Sequence, residues 1–126
     1  LGGVPRSLPA MVKAFRIGEK AASAGFDWEQ KEDIWDKVKE EIAEIEVEIA
    51  RKDHIRTEEE VGGLFFALIN MCRLYGIDPE MALERCNKKF ISRFQHMEAE
   101  ADGKLFSEMT AEELDQLWRS AKRDEK

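Results

Sequence analysis

The stretch Ile34-Trp35-Asp36-Lys37-Val38-Lys39-Glu40-Glu41-Ile42-Ala43-Glu44-Ile45-Glu46-Val47-Glu48-Ile49 decides the fold. Its apolar residues Ile34, Val38, Ile42, Ile45 and Ile49 recur with helical period, not with the alternation of a strand. Asp27 is placed to cap this helix, which is expected to run to about Lys52. Upstream, Pro9 suits a first turn and Gly25 a C-terminal cap, giving a helix from about Leu8 to Ala24. Downstream, a third helix is read from about Thr57 to Tyr75, closed by Gly76. Asp78-Pro79 opens a fourth helix that reaches about Glu100 and breaks at Asp102-Gly103. Thr110-Ala111-Glu112-Glu113 reads as a capping box for a short fifth helix carrying Leu114, Leu117 and Trp118. Almost nothing alternates like a strand. The expectation is all-α: an antiparallel bundle of about five helices with short connections.

At 126 residues the chain is expected to form one domain, 1–126. It begins at Leu1 and not Met, which reads as a piece of a longer protein. The net charge of −7 argues against general nucleic-acid binding. No apolar run reaches the ~18 residues of a membrane span, and no signal peptide is visible. Cys72 and Cys86 lack metal-ligand or redox spacing, so a reduced, cytoplasmic setting is expected. The charged tail Lys122-Arg123-Asp124-Glu125-Lys126 is expected to fray.

Chemistry concentrates in two acidic clusters. Glu41 and Glu44 stand three residues apart, on one helix face, and Glu60 lies in the next helix. Glu41 falls only about 60° from the centre of the apolar stripe, Glu48 about 80° and Glu44 about 120°. Glu60 is bracketed by Leu64, Ala67 and Met71. A carboxylate in apolar surroundings is costly unless paired or bound to metal. For Glu41 and Glu60 metal binding is therefore preferred. Glu40, Glu46, Glu58 and Glu59 read as solvated, and Glu44 is even between the two. Facing helices so equipped would gather carboxylates around hard cations such as Mg²⁺. The residue three after Glu60 is Gly63, so the second pair is incomplete.

On the fourth helix Arg85, Lys89 and Arg93 form a cationic stripe beside Leu83, Phe90, Phe94 and Met97. Alone it reads as a solvated face; beside a carboxylate-held metal it would suit a polyphosphate. Asn70 orders a carboxylate or substrate, or satisfies backbone groups. The third helix is apolar nearly all round (Val61, Leu64, Phe65, Phe66, Leu68, Ile69, Met71), which places it at the centre of the domain, at an oligomer interface, or both. A homodimer is expected on that ground.

Several motifs in order complete the reading: Val4-Pro5-Arg6-Ser7-Leu8-Pro9, Gly25-Phe26-Asp27-Trp28, Lys37-Val38 with Glu40-Glu41 and Glu44, Glu58 through Asn70, Gly76-Ile77-Asp78, Asn87 with Lys89-Phe90, Arg93-Phe94 and Leu117-Trp118. With them the chain resembles the MazG family of nucleoside triphosphate pyrophosphohydrolases, in the all-α NTP pyrophosphatase superfamily. It looks most like the C-terminal domain of two-domain members. The resemblance implies Mg²⁺-dependent hydrolysis of a nucleoside triphosphate to the monophosphate and pyrophosphate, by in-line attack of water on the α-phosphorus. It implies metal ligands at Glu41, Glu44 and Glu60, nucleotide contacts at Lys37, Lys89, Arg93 and Trp118, and a tight dimer placing Lys89 and Arg93 near the partner's nucleotide. The family's fourth metal ligand, an Asp, falls on Gly63, so weakened activity is expected. The alternative is a catalytically silent nucleotide-binding or dimerisation domain.

Overall fold

Helix α2 (Ile34–Ala50) and helix α3 (His54–Leu74) are joined by a tight turn in the computed structural model, which describes residues 1–125. Lys52 takes the left-handed backbone at this turn, with φ 59°. Its N–H donates to Ile49 O at 3.0 Å and that of Asp53 to Glu48 O at 3.2 Å, which closes the end of α2. Asp53 then caps α3 by accepting from the Arg56 N–H at 3.1 Å. The two helices run antiparallel, with Trp35 against Tyr75 at one end and Glu44 near Glu60 at the other. Helix α1 (Ala10–Ser23) begins after Pro9 and packs on the side of α3. These helices form the first of two compact units, Leu1–Pro79; the second is Glu80–Lys126.

Asp27 does not cap α2. A short 3₁₀ turn, Lys31–Asp33, leads into that helix instead. The Asp27 carboxylate grips the Arg73 guanidinium through two bonds, of 2.8 and 3.1 Å. Arg73 holds the Asp27 carboxyl below its ordinary pKa. Arg73 Nε donates to Asn70 Oδ1 at 3.2 Å, and Asn70 Nδ2 donates to the Phe66 carbonyl at 3.3 Å. Buried Asn70 is thus satisfied by structural partners on its own helix. Gly18 of α1 lies directly on this network: a Cβ there would collide with Asn70 Oδ1 and come within 3.0 Å of Arg73 Nε. A side chain at position 18 would push the two helices apart.

The buried line along α2 is rotated from the expected stripe. Ile34, Val38, Glu41 and Glu48 are buried and Ile45 is half-buried, whereas Ile42 and Ile49 are exposed. The face turned to α3 is the flank that carries the glutamates. On α3, Ala67, Ile69 and Asn70 are buried, but Phe65 and Phe66 are exposed, so this helix is not enclosed on all sides within the chain.

The second unit is built on helix α4 (Pro79–Ala101) and helix α5 (Ala111–Arg123). The expected capping box is present: Thr110 Oγ1 accepts from the Glu113 N–H at 3.1 Å, and the Glu113 carboxylate accepts from the Thr110 N–H at 3.4 Å. Rings of Phe90, Phe94, Phe106 and Trp118 pack in a chain of stacked, tilted and edge contacts. Leu83, Phe90 and Phe94 nevertheless remain exposed, and only Met97 of the expected α4 stripe is buried. The tail departs from the fraying expected of it. Lys122 and Arg123 form the last turn of α5, and Asp124 and Glu125 are paired to α4 side chains. Lys126 lies outside the described residues. All five helices are α, there is no strand among the described residues, and no single helix is long and apolar enough to cross a membrane.

Candidate metal centre and phosphate-binding residues

The antiparallel register of α2 and α3 brings Glu41, Glu44 and Glu60 together, each offering a carboxylate oxygen within 4.8 Å of the others. Glu41 is buried, and Glu44 and Glu60 are half-buried. Lys37, one turn before Glu41, pairs with its Oε1 at 2.9 Å. That ion pair raises the Lys37 pKa, the hydrogen bond to Glu41 being the main cause. The second oxygen, Glu41 Oε2, is buried and has no hydrogen-bond partner. Crowding shows most in Glu60, whose carboxyl is pushed up to about 7 by its hydrogen bond to Glu44, by partial desolvation, and by Glu41.

These residues fit a hard divalent cation. An orphaned buried carboxylate oxygen is costly, and three carboxylates this close repel unless protonated or bridged by positive charge. Oxygen-only donors with solvent on one side suit an ion that keeps several waters, as Mg²⁺ does.

Gly63 sits against this group. A Cβ built there would lie 2.5 Å from Glu41 Oε2, 3.0 Å from its Cδ and 3.3 Å from Oε1. The Glu41 carboxylate therefore leans into the space where a side chain at position 63 would emerge. The Glu41 carboxylate fills the room in which the expected fourth carboxylate would stand. Gly62, by contrast, faces open space.

Sequence reasoning left Glu48 without a role. Its carboxylate is buried, Oε1 meets Arg51 at 3.4 Å, and Oε2 has no partner. Its position two turns after Glu41, on the flank that proves to be buried, was the available signal.

The other expected site residues fall in the second unit. Arg93 is held by Glu125 in a two-point pair, through Nε to Oε1 and through Nη2 to Oε2, the latter 3.0 Å. Its guanidinium lies 5.1 Å from the centre of the Trp118 ring, a cation–π contact. Lys89 stands one turn earlier on the same helix and is exposed. A second trio, His96, Glu100 and Asp124, gathers nearby: His96 Nε2 meets Asp124 at 3.0 Å and Glu100 at 3.4 Å, and Glu100 accepts from Ser120 Oγ at 2.9 Å.

An all-helical chain with carboxylates converging from two antiparallel helices defines a class: helical proteins built around an acidic cluster that could hold a metal ion. Comparison with known proteins narrows it. The family model for the MazG nucleotide pyrophosphohydrolase domain matches residues 29–98. The nucleoside triphosphate pyrophosphohydrolase/pyrophosphatase MazG of Thermotoga maritima is 39% identical over 124 residues, which is 97% of this chain and 48% of that protein. The nucleoside triphosphate pyrophosphohydrolase of Escherichia coli K12 is 39% identical over 129 residues, 99% of this chain and 49% of that protein. The uncharacterized protein YabN of Bacillus subtilis is 43% identical over 69 residues, 53% of this chain and 14% of that protein. The chain belongs to the MazG nucleotide pyrophosphohydrolase family, and it spans about half the length of its full-coverage relatives.

Proposed function

We propose that this chain is a Mg²⁺-dependent nucleoside triphosphate pyrophosphohydrolase domain, releasing a nucleoside monophosphate and pyrophosphate. The observation that carries the reading is the trio Glu41, Glu44 and Glu60 with the buried, unpartnered Glu41 Oε2. The names of the relatives support hydrolysis over a silent binding domain. In this reading Glu41, Glu44 and Glu60 hold the cation and Lys37 holds Glu41 in place. When bound, Mg²⁺ supplies Lewis-acid stabilisation of the phosphoryl charge. One of these carboxylates takes the proton of the attacking water at a carboxylate oxygen. Lys89 and Arg93 neutralise the phosphates and Trp118 contacts the nucleotide. Gly63 supplies no ligand, which weakens the site.

The reading extends to the whole protein. The relatives' length supports one domain of a two-domain protein, and their names support nucleoside triphosphates as substrates. In this reading it acts in the cytoplasm, and the net charge of −7 does not favour nucleic acid as a partner. Exposed Ile42, Ile49, Phe65, Phe66, Leu83 and Phe90 support a homodimer. Light scattering at tens of micromolar checks the dimer, and a compact monomer would remove it. The activity is tested by pyrophosphate release from a mixed nucleoside triphosphate panel with Mg²⁺. Measurable release is expected from this chain and more from Gly63→Asp; none from either would overturn the reading.

A further inference from the structure

Arg93 carries a planar, two-toothed donor set, the geometry that recognises a phosphate or a carboxylate equally well. In this chain the fork is already filled. Glu125 presents both carboxylate oxygens to Arg93 Nε and Nη2. The Arg93 side chain is only 15% exposed within this pair and its guanidinium lies over the Trp118 ring. Lys89 and Lys122 also act on Glu125, and with Arg93 they hold its carboxyl below the ordinary range. The spot is thus an anion site where three cations converge. The preceding residue is fastened too: Asp124 meets His96 Nε2 at 3.0 Å, three residues along α4 from Arg93. The two pairs line one surface cavity of about 270 Å³ with Ser92 and Ala121, so they are open to competing ions and not sealed in a core.

We propose that Asp124-Glu125 is an internal latch in which Glu125 occupies the phosphate position of Arg93 and must be displaced before a polyphosphate can bind there. This rests on the reading that Arg93 holds phosphate. The latch makes the segment after α5 a competitive brake on the domain. Its strength is modest, because a partly exposed ion pair is weakened by solvent screening. A polyphosphate, with more charge than one carboxylate, can open it.

The test is calorimetric binding of inorganic pyrophosphate without divalent metal, so that the acidic trio takes no part. Glu125→Gln keeps the side-chain shape and removes the charge; it is expected to tighten binding ~3- to 5-fold, the equivalent of such a pair. Glu112→Gln removes the same charge from an exposed site on α5 and should leave binding unchanged. Arg93→Gln should weaken binding, and adding Glu125→Gln to it should then do nothing. Arg93-dependent binding that ignores Glu125 overturns the latch and leaves the proposed function standing. A gain from Glu125→Gln that survives Arg93→Gln, or that Glu112→Gln matches, is a general charge effect and also overturns the latch. Pyrophosphate binding that does not depend on Arg93 in any variant removes the phosphate role of Arg93, and the latch with it.

Discussion

The chain holds two trios of metal-capable side chains, and they are opposites. Glu41, Glu44 and Glu60 sit between α2 and α3, all of one charge, with one buried oxygen lacking any partner. His96, Glu100 and Asp124 sit at the surface of the second unit, with a basic ring among the acids and a serine hydroxyl on Glu100. Both have ligand atoms within 4.8 Å of one another. The difference is in what remains unsatisfied. The surface trio has no buried oxygen without a partner, and a ring nitrogen and a hydroxyl meet its carboxylates. The trio between the helices carries like charge and an orphaned acceptor, and only added positive charge, as protons or a metal, resolves it. Proximity of ligands says little; uncompensated charge says much.

The strongest way to break that contrast is to neutralise one member of each trio. Glu41→Gln is expected to lower residual hydrolysis ~100-fold or more, about 2.7 kcal/mol of barrier, and to weaken Mg²⁺ binding with the helices intact by circular dichroism. Glu100→Gln should leave Mg²⁺ affinity where it was. Equal losses of Mg²⁺ binding in calorimetry would erase the distinction.

Gly63→Asp is expected to raise activity at least ~10-fold at limiting Mg²⁺, about 1.4 kcal/mol. The Glu41 carboxylate must first swing away from position 63, since a Cβ would otherwise lie 2.5 Å from Oε2. It is the free end of a flexible side chain, so the move is feasible. A rate and Mg²⁺ dependence identical to the parent would show that position 63 is not part of the metal centre.

Proton linkage sharpens the contrast without mutation. The Glu60 carboxyl is raised from 4.5 to about 7 in the folded chain. The native state therefore binds this proton more tightly than the unfolded state. Its stabilisation is full below 4.5 and is lost as pH rises towards 7. Urea melts in EDTA should show stability falling across that window. Saturating Mg²⁺ should flatten the slope, and Mg²⁺ added near pH 6 should release protons. A metal-free midpoint that climbs from pH 5 to 7 would contradict this. Asp27, Glu113 and Glu125, whose carboxyls are lowered by Arg73, Lys104 and Arg93, act in the other direction and only at more acid pH.

The smallest effect separates two adjacent glycines. Gly62→Ala, facing open space in α3, should stabilise by about 1 kcal/mol. Gly63→Ala gains the same helix propensity but displaces Glu41 without supplying a ligand, so its net gain should be smaller or negative. Thermal melts of the two variants decide it.

What could be read in the sequence was what repeats or touches locally. The periods of α2 and α4, the Thr110-to-Glu113 capping box, and the glycines at 25 and 76, with φ of 98° and 68°, are local facts. So was the closeness of Glu41 and Glu44, one turn apart. Asp27 was misread as a cap because its partner, Arg73, is 46 residues away. The buried line of α2 was partly misjudged because apolarity alone adds Ile42 and Ile49 to the stripe of Ile34, Val38 and Ile45, whereas packing on α3 selects Glu41 and Glu48 beside Ile34 and Val38. The tail seemed bound to fray because nothing in its composition names Arg93 and His96 as its hosts.

The notch at Gly18 links the far side of the first unit to its chemistry. α1 approaches α3 at Asn70 and Arg73 only because position 18 has no side chain. The same α3 carries Gly63 about two turns and Glu60 about three turns before Asn70. A methyl group at position 18 would act as a wedge, tilting the rod that bears one of the three clustered carboxylates. Such a lesion touches no ligand, yet it would surface as a heat-sensitive phenotype, tolerable in the cold and rescued by excess magnesium.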